Sequence, residues 1–142
     1  TETLATIINV IYRSIVAEKK DIYEMFMIEF GYSLLVLISI LKHFDYNNIQ
    51  QLDKGESCKT LPQKTSVFNY YVMKPFMLFN VNKFLKLGKG NKCIEHFKLK
   101  CKKEFMDLVL DNFDNDDIKN IVNFLLLEQD INTKSLSMVY FN

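Results

Sequence analysis

From Thr3 to Ala17 the apolar residues Leu4, Ile7, Ile8, Ile11 and Ile15 recur at steps of three and four, the spacing that lines one face of an α-helix. The pattern predicts an amphipathic first helix with those five side chains turned inward. After the polar break Glu18-Lys19-Lys20, the run Asp21-Ile22-Tyr23-Glu24 has the form of a capping box: Asp21 accepts from the new helix and Glu24 reaches back. A second helix is expected from Ile22 to about Phe44. Between Phe30 and Leu41 it is apolar on nearly every side, as suits only a helix surrounded by others. Gly31 lies inside it, where glycine costs about 1 kcal/mol relative to alanine; a close helix crossing is the expected compensation.

Further along, Asp45 is positioned to cap a short helix over Tyr46 to Leu52, and Asp53 to Lys64 has the charges, glycine and proline of a loop without period. Ser66 opens a helix expected to break or kink at Pro75, which lacks a backbone donor and disfavours helical geometry in the residue before it. Pro75 then starts another helix to Leu87, closed by Gly88 and Gly90. Asn91 caps the next, with Ile94, Phe97, Cys101, Phe105 and Leu108 as its inward stripe. The acceptors and negative charges of Asp114-Asn115-Asp116-Asp117 favour a helix start, and that helix should reach Gln129 with Ile118, Ile121, Val122 and Leu125 inward. Thr133 to Phe141 is compatible with a short helix or a strand.

Composition narrows the class. A chain of 142 residues, 49% hydrophobic and 25% charged, is the size and balance of one packed domain spanning 1–142. Four glycines and two prolines are too few for a sandwich or barrel that reverses direction every ~10 residues. The fold class is therefore all-α: one globular bundle of about six or seven helices around the central apolar helix 22–44. A membrane span is not expected, because Glu29 interrupts the apolar run and the uninterrupted part is shorter than the ~20 residues a bilayer needs. Cys58, Cys93 and Cys101 are odd in number and follow no signal peptide, which reads as free thiols in the cytoplasm or nucleus. Arg13 is the single arginine among eighteen basic residues, and with the many Asn and Ile residues this points to an AT-rich genome. It also leaves little material for a site built on guanidinium forks.

The chemistry-bearing residues do not assemble into a motif. Cys93, His96 and Cys101 lack a fourth ligand and the paired short spacings of a zinc module, and Cys101 lies on the inward stripe while His96 lies off it. No metal and no cofactor is expected. His43 and His96 flank no strained glycine-rich turn, no phosphate-cradling loop is present, and the acidic string ending at Asp117 lacks the spacing and central glycine of a calcium loop. No residue stands out as catalytic, so the expected function is non-enzymatic.

Two binding surfaces are legible. Eight lysines fall between Lys83 and Lys103, followed by five acidic residues and no base from Asp107 to Asp117. On a helix after Asn91, Lys92, His96, Lys100 and Lys103 share one face opposite the apolar stripe, a basic ridge able to dock an acidic partner or a phosphate backbone. The second surface is aromatic: Tyr70, Tyr71, Phe76 and Phe79 crowd the segment around Pro75, where a groove for a partner's amphipathic helix is expected. A protein partner ranks first. Nucleic acid ranks second, because the ridge lacks interleaved aromatics and arginines. The sequence does not fix the oligomeric state.

A nearly all-apolar helix wrapped by amphipathic ones, at this length and codon bias, is similar in architecture to the poxviral Bcl-2-like host-modulating proteins. The resemblance implies a helical bundle that binds host proteins. It carries over no site residues, since cellular relatives use an Asn-Trp-Gly-Arg motif whereas this chain has no tryptophan, and Phe30-Gly31-Tyr32 does not replace it. A fragment of an ARM- or HEAT-type stack would also explain helix pairs, but stack helices keep a solvated side. The expected function is a protein interaction or scaffolding module.

Overall fold

The structure, a computed structural model, describes residues 2–16, 21–54, 67–91, 102–113 and 115–128. Among the described residues every regular element is an α-helix: α1 (Glu2–Val16), α2 (Ile22–His43), α3 (Gln50–Lys54), α4 (Val67–Phe79), α5 (Val81–Asn91), α6 (Lys102–Phe113) and α7 (Asp116–Leu127). The all-α bundle expected from the apolar periodicity is thus present.

At its centre is α2, which packs against α1, α4 and α7, while α6 bridges α3, α4, α5 and α7. The continuous apolar run explains that placement. Leu37, Ile38 and Leu41 are 0% exposed, and each buried side chain of this kind contributes about 1.5–3 kcal/mol relative to its exposed state. Two serines sit in the same helix without orphaned hydroxyls: Ser33 donates to the Phe30 carbonyl at 2.7 Å and Ser39 to that of Leu35 at 2.8 Å. By length and composition α2 is the one described helix that could cross a membrane, and half of its apolar window is buried within the fold.

The ends of α2 follow from local chemistry. Asp21 accepts from the Tyr23 N–H at 3.0 Å, as the capping pattern predicts. At the other end Asp45 adopts φ 59°, the left-handed conformation that Asp tolerates better than most residues. The Tyr46 N–H reaches the Leu41 carbonyl at 2.9 Å and the Asp45 N–H that of Lys42 at 3.2 Å, the bond pair of a Schellman motif, with buried Tyr46 and Leu41 as its apolar partners. Asp45 therefore closes α2 and does not cap the following helix. Asn48 does that: its side chain accepts from the Gln51 N–H at 3.2 Å, while Gln51 Oε1 accepts from the N–H groups of Asn47 and Asn48 at 2.7 and 3.3 Å. The helix so started, α3, is shorter than the expected Tyr46 to Leu52 run at its beginning and extends to Lys54. The buried Ile49 donates its N–H to Asn123 Oδ1 at 3.1 Å, fastening this corner to α7.

The expected break at Pro75 does not occur, and α4 runs through it. Proline removes the bond to the carbonyl four residues earlier and crowds that carbonyl, which bends a helix without having to end it, and here its ring is fully buried. The boundary falls instead at Asn80, where the bond pattern still continues: the Asn80 N–H donates to Phe76 O at 3.2 Å and the Phe84 N–H to Asn80 O at 2.9 Å. The next helix, α5, begins at Val81 and includes Gly88, Gly90 and Asn91. Those glycines do not terminate it, and Asn91 is its last residue; the helix expected to follow Asn91 begins outside the described residues. Glycine lowers helix propensity by about 1 kcal/mol without forbidding the conformation.

On α7, Asn115 is the cap, its side chain accepting from the N–H groups of Asp117 and Ile118 at 3.0 and 3.4 Å. Ile118 and Val122 are enclosed and Leu125 is half-buried, whereas Ile121 is exposed, not inward as expected. Lys119 Nζ donates to Asp116 Oδ1 at 2.9 Å, and that bond, together with the ammonium charge, lowers the Asp116 pKa below the ordinary carboxylate range. The pair's stabilising effect is present at neutral pH and is lost as pH falls through the lowered value. Lys42, in the last turn of α2, donates to the Glu128 carbonyl just past the end of α7. Gly31 departs from its expected role: a Cβ built there meets nothing within 4 Å, so no close crossing offsets its cost. The expected loop from Asp53 to Lys64 falls almost wholly outside the described residues, as do the stripe residues Ile94, Phe97 and Cys101 and the segment Thr133 to Phe141.

Candidate docking surface

Helix α1 has more apolar side chains than one face can bury. The bundle encloses Thr3, Ile7 and Val10, with Ser14 half-buried on the same side, spaced four, three and four apart. Two of the four, Thr3 and Ser14, are polar, and Ile7 and Val10 supply the apolar contact. Thr3 donates its hydroxyl to Met77 Sδ on α4 at 3.4 Å, and Ser14 to the Ile11 carbonyl at 2.8 Å. The inward face expected from the sequence is corrected accordingly: Ile8, Ile11 and Ile15 point outward. Ile8 is 57%, Tyr12 63% and Ile15 70% exposed. This face packs α1 against α2 and α4, and Ile8, Ile11, Tyr12 and Ile15 are left outside.

The outer stripe borders a cavity of about 360 Å³. Ile7, Val10 and Ile11 of α1 form one wall. Ile22, Tyr23 and Phe26 of α2 form the second, and Val81 with Asn82 of α5 closes the third. None of these side chains bears a formal charge, and the polar groups are limited to the Tyr23 hydroxyl and the Asn82 amide. The volume lies within the range of ligand and anchor-residue pockets, about 300–1,000 Å³. Ile22 and Tyr23 are themselves exposed, so the apolar surface continues from α1 across the mouth of the cavity onto α2. Arg13 of α1 is paired, its Nη1 lying 3.8 Å from Glu29 Oε1, while the exposed Asp21 and Glu24 flank Ile22 and Tyr23. A surface ion pair of this kind adds little stability, but it holds the guanidinium toward α2.

The residues singled out from the sequence lie elsewhere. Phe76 is 0% exposed, so it belongs to the core and cannot line an accessible groove. Phe79 is half-buried with its ring centroid 6.0 Å from that of Phe30. Tyr70 and Tyr71 are half-buried neighbours with centroids 5.1 Å apart, and Lys74 Nζ stands 5.9 Å from the Tyr70 ring. The four aromatics are therefore divided between core and surface. Of the basic ridge, Lys103 is exposed on α6, and Lys92, His96 and Lys100 lie outside the described residues. Cys58, Cys93 and Cys101 lie outside them too. Among the described residues no three His, Cys, Asp or Glu side chains are grouped closely enough to hold a metal ion. Sequence periodicity missed the surface built by Ile8, Ile11, Tyr12, Ile15, Ile22 and Tyr23. The available signal was that apolar residues cover most of the circumference of α1.

Compared with protein-family models, curated proteins and solved structures, the chain matches none. The reading of its surface rests on its own geometry.

Proposed function

We propose that the chain is a non-enzymatic helical interaction module that docks a protein partner on the outer face of α1 and the adjoining cavity. The observation that supports this most is the continuity of the surface. Large exposed apolar side chains at Ile8, Ile11, Tyr12 and Ile15 run into an uncharged cavity, and contiguous apolar patches of this kind mark interaction sites. An apolar stripe at three- and four-residue steps beside a groove is the complement of another amphipathic helix. A second reading, nucleic-acid binding, draws on Lys83 and Lys86 of α5 and Lys103 of α6, which are exposed on helices packed against each other. It ranks lower because the acidic run that begins at Asp107 adjoins that surface.

The test is affinity capture from nuclease-treated lysate with the natural chain and with an Ile8→Glu, Ile15→Glu variant. Partners retained by the natural chain should be lost by the variant, with a shallow dependence on salt. A Leu127→Glu control, at an exposed apolar position on α7, should retain them. Binding that survives the double substitution, or that vanishes with nuclease and falls steeply with salt, overturns the reading.

A further inference from the structure

We propose that the occupant of this docking face is a second copy of the same chain, the two α1 helices crossing antiparallel about a two-fold axis between Ile11 and Tyr12. This rests on the function proposed above and names its partner. Three observations converge on it. The first is spacing: Ile8, Ile11, Tyr12 and Ile15 are separated by three, one and three residues, a sequence of steps that reads the same from either end. Reversing the helix about its midpoint therefore superposes the stripe on itself, the self-complementarity that an isologous contact requires. Ile8 of each copy meets Ile15 of the other along the centre. On the cavity side Ile11 meets Ile11 across the axis, and on the opposite side Tyr12 meets Tyr12.

The second observation is charge. None of Ile8, Ile11, Tyr12 and Ile15 is charged, and Arg13 is paired with Glu29 of α2, so the helix crossing itself brings no like charges together; the exposed carboxylates of Asp21 and Glu24 flank Ile22 and Tyr23 on α2. Nothing on the stripe selects a partner of opposite sign. The third is area. The exposed parts of the four stripe residues with Ile22 and Tyr23 amount to roughly 700 Å², within the ~600–1,000 Å² that each partner contributes to an interface of standard size. In this arrangement both cavities open on the same side of the crossing, and the two Ile11 side chains close them from above.

Sedimentation of the natural chain across a concentration series should show a reversible monomer–dimer equilibrium. The Ile8→Glu, Ile15→Glu variant should weaken it by at least ~30-fold, the loss expected on removing a central interface anchor, with an unchanged helical circular dichroism spectrum. Leu127→Glu should leave it unaltered. Photo-oxidative tyrosine coupling should give a covalent dimer whose peptide map joins Tyr12 to Tyr12. Tyr12→Phe should still dimerise and lose that link. A chain that stays monomeric at ~100 μM, above the weak end of specific association, overturns the proposal, as does a dimer indifferent to the double variant or coupled only through other tyrosines. If the chain is monomeric yet the double variant loses a captured protein, the second copy is rejected and the docking face stands. If neither dimerisation nor capture responds, both are rejected.

Discussion

Gly31 shows how much a single residue can mislead. In a helix interior, glycine invites the expectation of a neighbouring backbone too close for a side chain, yet a Cβ there meets open space. Gly31→Ala should therefore stabilise the fold by about 0.5–1 kcal/mol through helix propensity and a less flexible unfolded chain. The melting temperature should rise by about 3 °C, the scale for a domain of this size; a decrease would show that something does approach Gly31. Other residues were more legible. Asp21 and Asn115 accept the bonds their positions implied, because capping depends on a few consecutive residues. Asp45 did not, since either end of a loop can use an acidic side chain. The choice was made by Tyr46, which enters the core and pulls Asp45 into the left-handed turn. The Asn48 and Gln51 pair carried the capping spacing throughout and was overshadowed by the acid before it.

At the level of elements, the continuous apolar run of α2 was sufficient to place it, because no other arrangement encloses Leu37, Ile38 and Leu41 together. Leu37→Ala should cost about 2–5 kcal/mol, as expected of a cavity opened in a core without slack. Denaturant titration would measure it, and a loss below ~1 kcal/mol would move α2 toward the edge of the bundle. Periodicity was a poorer guide on α1, where apolar residues occur all round and the helix buries the side with Thr3 and Ser14. Hydrophobic spacing identifies a helix but cannot choose between two apolar faces; the tertiary packing decides. The same limit explains Pro75. Local rules predicted a break, and burial of the ring within the bundle outweighed one missing hydrogen bond. The candidate site was legible only as a type, a groove for an apolar helix. The sequence placed it among the aromatics near Pro75, of which Phe76 is taken into the core; the docking face proposed above lies instead on α1.

Across the whole molecule, burial along α2 is graded. From Leu34 to Leu41 almost every side chain is enclosed, while toward the start Ile22, Tyr23, Met27 and Ile28 remain exposed. The far end is also pinned twice, by the Schellman turn at Asp45 and by the Lys42 bond to Glu128. One continuous helix thus joins an enclosed half to a half that is more exposed, packed against α1 and, through Phe30 on Phe79, against α4. Native-state hydrogen exchange should resolve the two. Amides from Leu34 to Leu41 should exchange only when the whole chain unfolds, whereas those from Phe26 to Phe30 should exchange through smaller openings in which α1 lifts away. Uniform protection along α2 would contradict this. If the gradient is present, α1 and the first turns of α2 form a separate cooperative unit, and anything that covers the outer face of α1 should slow exchange there first. Such a ligand would leave its imprint on amides it never touches.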